Sequence, residues 1–346
     1  MIGSLSCFDR IHFRVWTPPG MRPVSVKYAA TPSESAWLEN LMVQGGIAHA
    51  LRAKRIHSAG TVFQLLRHLR RLYRRESDVD LVHVNWLQNA IPLWGIPKPA
   101  LISVLGSDFA LLQRPWMRAL LRRLLRQRVC ILAPNAGWMG PQLEAVFGDV
   151  AEVRPISFGV DDIWFSLRRR PDPHSPPLWL AVTRLTKDKL GPLFDWADGL
   201  FCHDRQLHLF GPMMEKIPLP PWVNYHGPAE PANLQNEWFP RACGLITLSQ
   251  HAEGRPQVVL EAMAAGLPVI ASDIPAHRDL IRDRETGWLA RTPQDIREGV
   301  TFLSKRENND PMGNAARTWV AEHIGTWDDC ARRYVDAYRA LIRRTK

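Results

Sequence analysis

The chain has 346 residues, which is more than one hydrophobic core usually supports, so two domains of roughly 150 residues each are expected. With 46% hydrophobic and 23% charged residues, the composition is that of a globular protein and excludes a disordered one. The five cysteines have no C-x-x-C spacing, which predicts a protein of the reducing cytoplasm without a disulfide framework or structural zinc. No apolar run approaches the ~20 residues that span a bilayer, so a membrane-spanning helix is not predicted.

The net charge of +10 lies entirely in the first half of the chain. Residues 1–160 contain 20 Lys/Arg and 10 Asp/Glu, whereas residues 161–346 contain 24 of each. This asymmetry indicates an anionic partner for the first half.

In chain order, the first ~55 residues show no clean strand–glycine–helix unit and are left unassigned. Helical periodicity follows over residues 61–75 and 109–128. Short apolar runs predict the strands of this half, at residues 80–86, 100–108, 129–135 and 152–157. The first half therefore alternates strands with helices.

The charged, Pro-rich segment 168–177 predicts a linker between two domains. After it, four short apolar runs predict strands, at residues 178–185, 206–211, 242–249 and 267–273, and a helix is predicted over 326–344. Alternating strands and helices predict parallel sheets. We therefore expect an α/β fold of two doubly wound, Rossmann-like domains facing a cleft: residues 1–165, onto which the C-terminal helix 326–346 crosses back, and residues 166–325.

The stretch HAEGRPQVVLEAMAAGLPVI (251–270) contains two glutamates separated by seven residues. Pro256 suits the first position of a helix and Gly266 the residue after its end, so a helix is predicted over about 256–265. The free N–H groups at its start would attract a phosphate. Glu261, ~7 Å further along, could accept hydrogen bonds from a ribose diol, and Glu253 could meet a group beyond the phosphate. The alternative is that Glu261 is a surface residue of an amphipathic helix.

This stretch, continued to residue 290, resembles the E-x7-E signature of retaining glycosyltransferases of family four, which have the GT-B fold. RLTKDK (184–189) is similar to the family's Arg-x4-Lys motif, LHLFGP (207–212) to its strand-then-glycine turn, and FGVDDIWF (158–165) to its inter-domain segment. DLVHVNW (80–86) and VLGSDF (104–109) resemble motifs of its N-terminal domain. The resemblance covers roughly residues 78–345.

The resemblance implies a role for each matching residue. Arg184 and Lys189 would stabilise the charge of a leaving nucleoside diphosphate without a metal. Glu253 would lie near the hydroxyls of the donor sugar, and Glu261 would bind the ribose. The residues expected to bind the donor are Gly211, Gly254, Arg255, Pro256, Gln257, Val258 and Glu261. For Arg255, pairing with a donor carboxylate or phosphate and pointing to solvent both remain open. No cofactor and no metal are expected.

Two departures from the family pattern lie in the first half. Leu105 replaces the family histidine before Gly106 and Asp108, and Asn85 replaces the second histidine of a His-x-His pattern that keeps His83. His83, Gly106 and Asp108 are candidates for the acceptor side or for the vicinity of the sugar, although His83 alone fits a core residue as well. The glycine-rich loop expected near the start has only a weak candidate at residues 44–46.

The two arginine-rich helices, 61–75 and 109–128, are compatible with a solvated face or with an anionic membrane surface. In the second, Arg114, Arg118, Arg122 and Arg126 recur every four residues and would form one stripe. Nucleic acid is not an expected partner, because aromatic residues do not interleave with the arginines. A peripheral position on the inner face of the membrane is therefore an alternative to a purely cytoplasmic one.

The sequence thus predicts a retaining, metal-independent glycosyltransferase of the hexosyltransferase type. It would move a sugar from a nucleotide sugar to a hydroxyl of a glycan or lipid-linked acceptor, in cell-envelope or exopolysaccharide synthesis. Two alternatives stay open. One is a sugar-nucleotide epimerase on the same fold, and the other is a degenerate membrane-associated subunit that binds nucleotide sugar without turnover.

Overall fold

The computed structural model of the chain describes residues 2–5, 8, 11–18, 26–43, 57–172, 174–251 and 253–345. The chain folds as two units. The first unit comprises Met1–Asn135, Met139–Ile156 and Cys330–Lys346, and the second comprises Ala136–Trp138 and Ser157–Asp329. The predicted glycine-rich loop at residues 44–46 lies outside the described residues.

The boundary after Ile156 comes earlier than the predicted one at 165. The reason is backbone pairing: the N–H of Val160 donates to the carbonyl of Gly325, and the Val160 carbonyl accepts from Trp327. Trp164 also packs against Phe239, with ring centroids 4.7 Å apart. These contacts tie the segment before the linker to the second unit.

The strands of the first unit are β1 (Arg14–Val15), β2 (Lys27–Tyr28), β3 (Val82–Asn85), β4 (Ala100–Val104), β5 (Cys130–Pro134) and β6 (Glu152–Val153). The helices described before residue 150 are α1 (Ile2–Leu5), α2 (Pro32–Val43), α3 (His57–Arg75), α4 (Pro115–Leu125) and α5 (Gly140–Phe147). Strands β3 to β6 form a parallel sheet in that order, and β1 pairs with β2 in a separate sheet. Strands β4 and β5 are buried along their whole length, as strands covered on both faces are.

In the second unit the strands are β7 (Leu178–Val182), β8 (Gln206–Phe210), β9 (Val223–Gly227), β10 (Gly244–Thr247), β11 (Val269–Ser272) and β12 (Trp288–Ala290). The helices are α6 (Asp162–Ser166), α7 (Lys187–Leu190), α8 (Leu193–Trp196), α9 (Pro231–Asn233), α10 (Phe239–Arg241), α11 (Gln257–Ala264), α12 (Pro275–Arg278), α13 (Pro293–Leu303), α14 (Arg306–His323) and α15 (Trp327–Arg343). From Cys330 onward, α15 belongs to the first unit.

The six strands of the second unit form one parallel sheet in the order β12-β11-β10-β7-β8-β9. Successive residues of β7 pack into two different clusters, Leu180 on one face and Trp179 on the other. Helices α11 and α14 contribute to the cluster with Leu180, and α13 contributes to the cluster with Trp179. The sheet is therefore covered on both faces, and the predicted α/β class with parallel sheets is confirmed.

The structure changes three sequence predictions. Strands β9 and β12 were not predicted, because β9 (VNYHG) alternates apolar and polar residues and β12 (WLA) is only three residues long. The observed strands are mostly shorter than predicted, since the apolar runs continue into loops such as Ser107–Gln113, a 3-10 turn. The helix predicted over 109–128 is wrong: it is broken at Pro115, which begins α4 after the extended Arg114. A proline lacks the N–H that a continuous helix needs and restricts the preceding residue.

Candidate functional site

The order of strands in the second unit identifies the edge of the sheet where a ligand would bind. The first strand along the chain, β7, lies between β8 and β10, which is where the direction of winding reverses. In open parallel sheets, ligands bind beyond the carboxyl ends of the strands at this reversal. Arg184 follows β7, Gly211 follows β8 and Glu253 comes after β10. The fold thus brings three of the predicted site segments to one edge.

Gly211 lets two of these loops approach closely. Its φ is +133°, and a Cβ atom would lie 1.7 Å from the carbonyl oxygen of Thr183. A side chain is therefore excluded at this position both by backbone conformation and by space. The neighbouring bonds from Thr183 N–H to the Phe210 carbonyl (2.9 Å) and from Leu185 N–H to the Pro212 carbonyl (2.9 Å) keep the two loops side by side.

Lys189 and Glu253, which are distant in sequence, form an ion pair. Their side chains are 14% and 15% exposed, so the pair is mostly shielded from water. The Ser249 hydroxyl also donates to the Glu253 carboxylate, at 3.1 Å. The pairing is possible because α7 lies beside the loop after β10, where the Gln250 N–H donates to the Asp188 carbonyl at 2.8 Å. The predicted cation and the predicted sugar-binding acid are thus direct neighbours.

Arg184 differs from Lys189 in having its charge available. The residue is exposed, and within the described part of the chain its guanidinium has no carboxylate partner. It directly follows the segment that Gly211 contacts. An anion at this edge would therefore meet one unpaired cation and one paired cation.

Helix α11 begins at Gln257, one residue later than predicted, with the extended Pro256 before it. Proline has no N–H to donate and no side-chain cap is present at this helix start. In the described residues, the N–H groups of Gln257 and Val258 have no protein acceptor, whereas Val259 and Leu260 donate to the Pro256 carbonyl. These two amides, at the positive end of the helix dipole, are therefore available to donate to an anion.

Glu261 lies in the second turn of α11 and is mostly buried. Burial raises the pKa of its carboxyl to about 7, and the negative charge of Asp161 contributes in the same direction. Among the described residues, no donor side chain or backbone N–H is hydrogen-bonded to this carboxyl. A buried acid without a partner is costly, so its position favours a ligand that supplies hydrogen-bond donors.

The structure corrects one of the two alternatives left open for Arg255. Its Nη2 donates to Oδ2 of Asp279 at 2.6 Å, and the arginine side chain is only 3% exposed. The same carboxylate accepts the N–H groups of Gly137 and Trp138, each at 3.0 Å. Arg255 therefore does not point to solvent, because Asp279 holds it inside the second unit. Its pairing with a group of the donor stays a prediction.

Gln257 and Gly254 are also engaged within the second unit. The side-chain amide of Gln257 donates to the Gly159 carbonyl at 3.0 Å, and the Trp138 indole donates to the Gly254 carbonyl at 2.9 Å. The backbone and the side chains of the residues predicted to bind the donor therefore have different roles. In the described residues, the N–H groups of Gln257 and Val258 have no acceptor, whereas the side chains of Arg255 and Gln257 are bonded within the unit and fix the shape of the loop.

In the first unit, the three candidates are used internally. The two ring nitrogens of His83 lie 2.7 Å from the Tyr338 hydroxyl and 2.8 Å from Ser103 Oγ, and burial lowers its pKa to about 4. Asp108 is 1% exposed and accepts the N–H groups of Leu87 and Leu105, both at 3.0 Å. Burial raises the pKa of Asp108. These contacts fit the core alternative for His83 and give Asp108 a structural role as an acceptor of backbone N–H groups. A place on the acceptor side or near the sugar stays a prediction for both.

Gly106 precedes the 3-10 turn with a φ of +100°, which favours glycine. Its backbone conformation explains its presence between Leu105 and Ser107. We therefore assign Gly106 to the turn itself.

The arginine-rich helices expose fewer free cations than the sequence suggested. In α3, Arg70 donates to the Pro92 carbonyl at 2.7 Å, and Arg75 pairs with Glu34 at 3.1 Å. In α4, Arg122 pairs with Asp149 at 2.6 Å. The predicted four-arginine stripe is wrong, because Arg114 precedes the helix. No helix in the described parts of the chain is long and apolar enough to span a membrane.

Sequence reasoning missed three residues that shape this site. Ser249 had a local signal, since it is a polar residue at the carboxyl end of a predicted strand. Asp161 and Asp279 lie in segments that resemble family motifs, but their pairing had no signal, because their partners, Glu261 and Arg255, are distant in sequence.

Part of the second unit is similar in sequence to known proteins. Residues 222–319 match the family model described as "Glycosyl transferases group 1", and this range contains both Glu253 and Glu261. Over 100 residues, or 27% of the chain, the sequence is 35% identical to glycosyltransferase 1 domain-containing protein 1 of Xenopus tropicalis, of which 26% is covered. Over 109 residues, or 31% of the chain, it is 31% identical to D-inositol 3-phosphate glycosyltransferase of Streptomyces coelicolor, of which 23% is covered. The chain thus spans about a quarter of the length of these relatives.

Solved structures are similar over most of the chain. Sucrose-phosphate synthase from Thermosynechococcus elongatus superposes with a TM-score of 0.67 and 18% identity, covering 82% of this chain and 78% of that one. Anabaena HepE in complex with UDP-glucose superposes with a TM-score of 0.64 and 13% identity, covering 79% and 82%. At such identities the likeness shows the fold, which is that of GT-B glycosyltransferases with Rossmann-like domains.

Proposed function

We propose that this chain, with its group 1 glycosyltransferase segment, is a retaining glycosyltransferase that needs no metal ion. It would move a sugar from a nucleoside-diphosphate sugar to a hydroxyl of a glycan or lipid-linked acceptor, in cell-envelope or exopolysaccharide synthesis. The observation that carries the proposal is the edge of the second unit's sheet, where Arg184, the Lys189–Glu253 pair and the start of α11 follow the carboxyl ends of the strands.

The diphosphate is the part of the donor for which this edge has the clearest complement. The amides of Gln257 and Val258 would donate to phosphate oxygens, and Arg184 would add a charge-assisted bond. As the bond between sugar and diphosphate breaks, negative charge grows on the leaving oxygen. Cations already in place stabilise that charge without reorganisation, which lowers the barrier to reaction.

Lys189 can reach the diphosphate only if its pairing with Glu253 is shared or exchanged. A doubly charged phosphate competes well for an ammonium group. Release of Lys189 would free the Glu253 carboxylate to accept hydrogen bonds from sugar hydroxyls. The ion pair thus keeps both groups in position before the donor binds, and it couples sugar binding to diphosphate binding.

Glu261 would bind the ribose diol of the nucleotide. Two hydroxyl donors on the carboxylate favour its charged form, so they offset the burial that raises its pKa. In this mechanism no protein side chain acts as a nucleophile. The acceptor hydroxyl attacks on the face from which the diphosphate leaves, and a phosphate oxygen takes its proton.

Arg184→Gln gives a direct test, because Arg184 is exposed and the described residues provide it no partner. We expect the variant to fold with an unchanged melting temperature. Its affinity for a nucleoside diphosphate should fall about tenfold or more, since a hydrogen bond to a charged group contributes about 1.5–3 kcal/mol. The measurement is the shift in melting temperature with UDP, GDP or ADP and with their glucose conjugates. A ligand at about 100 times its dissociation constant adds ~2.7 kcal/mol of stability.

The matched control is Arg282→Gln, an exposed arginine of the same unit away from this edge. Release of nucleoside diphosphate with an acceptor pool then separates an enzyme from a binding subunit. If no nucleotide stabilises the wild-type chain, or if both variants lose affinity equally, the donor site is not where we place it.

A further inference from the structure

The second unit contains a groove of about 700 Å³ that is separate from the donor edge. One wall is formed by α6 and the segment after it, and the other by the π-helical turn Leu234–Trp238 and α10. Ala242 and Gly266 closely precede β10 and β11, and Arg169 donates to their carbonyls at 3.1 and 2.9 Å. The groove therefore lies at the amino ends of the parallel strands, whereas Arg184, Gly211 and Glu253 follow the carboxyl ends.

Two arginines enter the groove from one extended segment. Arg168 and Arg170 are both exposed and line the groove, whereas Arg169 between them is anchored to backbone carbonyls. In extended backbone, alternate side chains point to the same side. The Arg170 N–H also donates to the Pro240 carbonyl at 2.6 Å, which fixes this segment against the opposite wall.

The positive charge of this groove is not neutralised by the protein. Among the described residues, neither Arg168 nor Arg170 forms an ion pair with a carboxylate. The third arginine, Arg241, is paired with Glu237 at 3.3 Å and lies 5.1 Å over the Trp238 ring. Three arginines and one glutamate leave a formal charge of +2. Like charges held side by side favour an anionic ligand.

The opposite wall supplies neutral polar groups from an unusual backbone. Leu234–Trp238 is a π-helical turn, a rare conformation that is frequent at functional sites. It places Gln235 and Asn236 in the lining, and Ser166 faces them from the other segment. Ile163, Leu167 and Pro240 add apolar surface. Amide and hydroxyl groups beside apolar patches suit the hydroxyls and ring faces of a saccharide, and the volume far exceeds that of a single phosphate ion.

We propose that this groove is a second ligand site, which binds a saccharide carrying a carboxylate or phosphate group. Arg168 and Arg170 bind the anionic group, and the wall from the π-helical turn binds hydroxyls. The site is independent of donor binding, because none of its lining residues belongs to the edge that holds Arg184 and Glu261.

Isothermal titration calorimetry of the full chain tests this proposal with three probes: trigalacturonate for the carboxylate, glucose 6-phosphate for the phosphate and maltotriose as the neutral saccharide. We expect a charged probe to bind more tightly than maltotriose. The double variant Arg168→Gln/Arg170→Gln should weaken that binding by at least about tenfold, since two charge-assisted hydrogen bonds are lost. This variant and its control are first checked for an unchanged melting temperature.

The charge-matched control is Arg282→Gln/Lys305→Gln, which removes two exposed cations of the same unit outside the groove. It should leave binding within about twofold. Binding should also persist in Arg184→Gln, which separates this site from the donor edge. Lack of binding by both charged probes, equal weakening by the control pair, or loss in Arg184→Gln would overturn the site. Inorganic phosphate that binds as tightly as glucose 6-phosphate would overturn the saccharide assignment.

Discussion

Replacing Glu261 by glutamine has an effect on stability that depends on pH in a defined direction. The wild-type carboxyl has a pKa of about 7 in the folded chain, raised from 4.5 chiefly by burial and further by the charge of Asp161. Glutamine keeps the size and the hydrogen-bonding capacity of the side chain but cannot ionise. The variant therefore isolates the free energy associated with holding a carboxylate at this position.

The direction of the pH dependence follows from the direction of the pKa shift. Because the folded-state pKa is the higher one, the folded chain binds the proton more tightly, and this contribution to stability is full below pH ~4.5. It is lost as the pH rises through about 7. One pKa unit corresponds to about 1.4 kcal/mol, so the whole contribution is about 3 kcal/mol. Between pH ~5 and ~8.5 the free energy of unfolding of wild type relative to the variant should fall by about 2.5 kcal/mol.

Urea unfolding of both proteins without ligand, at pH ~5 and ~8.5, measures this difference. The variant should be the more stable protein at the higher pH. Nucleotide binding should show the opposite trend in wild type: affinity rises as the pH passes about 7, because the ribose hydroxyls bind the charged form. A stability difference that does not change with pH would refute the reasoning, since it would mean that Glu261 is ordinarily solvated.

Two further substitutions test how the loops of the site are held. Gly211→Ala should cost more than about 3 kcal/mol of unfolding free energy, because a Cβ atom would lie 1.7 Å from a carbonyl oxygen at a φ of +133°. The control is Gly199→Ala, which also has a positive φ but lies in open space. It should cost about 1–2 kcal/mol in the same urea titration. Asp279→Asn should cost about 3 kcal/mol of unfolding free energy, because it leaves the buried charge of Arg255 without its carboxylate. The control, Asp310→Asn, removes a carboxylate from an exposed ion pair and should cost less than about 1 kcal/mol. Equal losses of stability in the two variants would contradict the role given to Asp279.

Much of the second unit could be predicted from local sequence. Proline before and glycine after an apolar stretch located α11 to within one residue at each end, because both residues act through their own backbone conformation. Short apolar runs located four of the six strands, since buried parallel strands are continuously apolar. The break at Pro115 also had a local signal, which helical periodicity outweighed in the prediction.

For the candidate site, the sequence predicted which segments contribute residues but not how their side chains contact one another. The sequence by itself determined the order of the strands and which polar and charged residues follow them, because apolar runs, proline and glycine act on the backbone within a few residues. It did not determine where each strand ends. Only the tertiary structure decided that Lys189 pairs with Glu253, that Asp279 holds Arg255 inside the loop, and that Asp161 acts on the carboxyl of Glu261. Those outcomes depend on burial and on distances between side chains far apart in sequence, which no local pattern encodes.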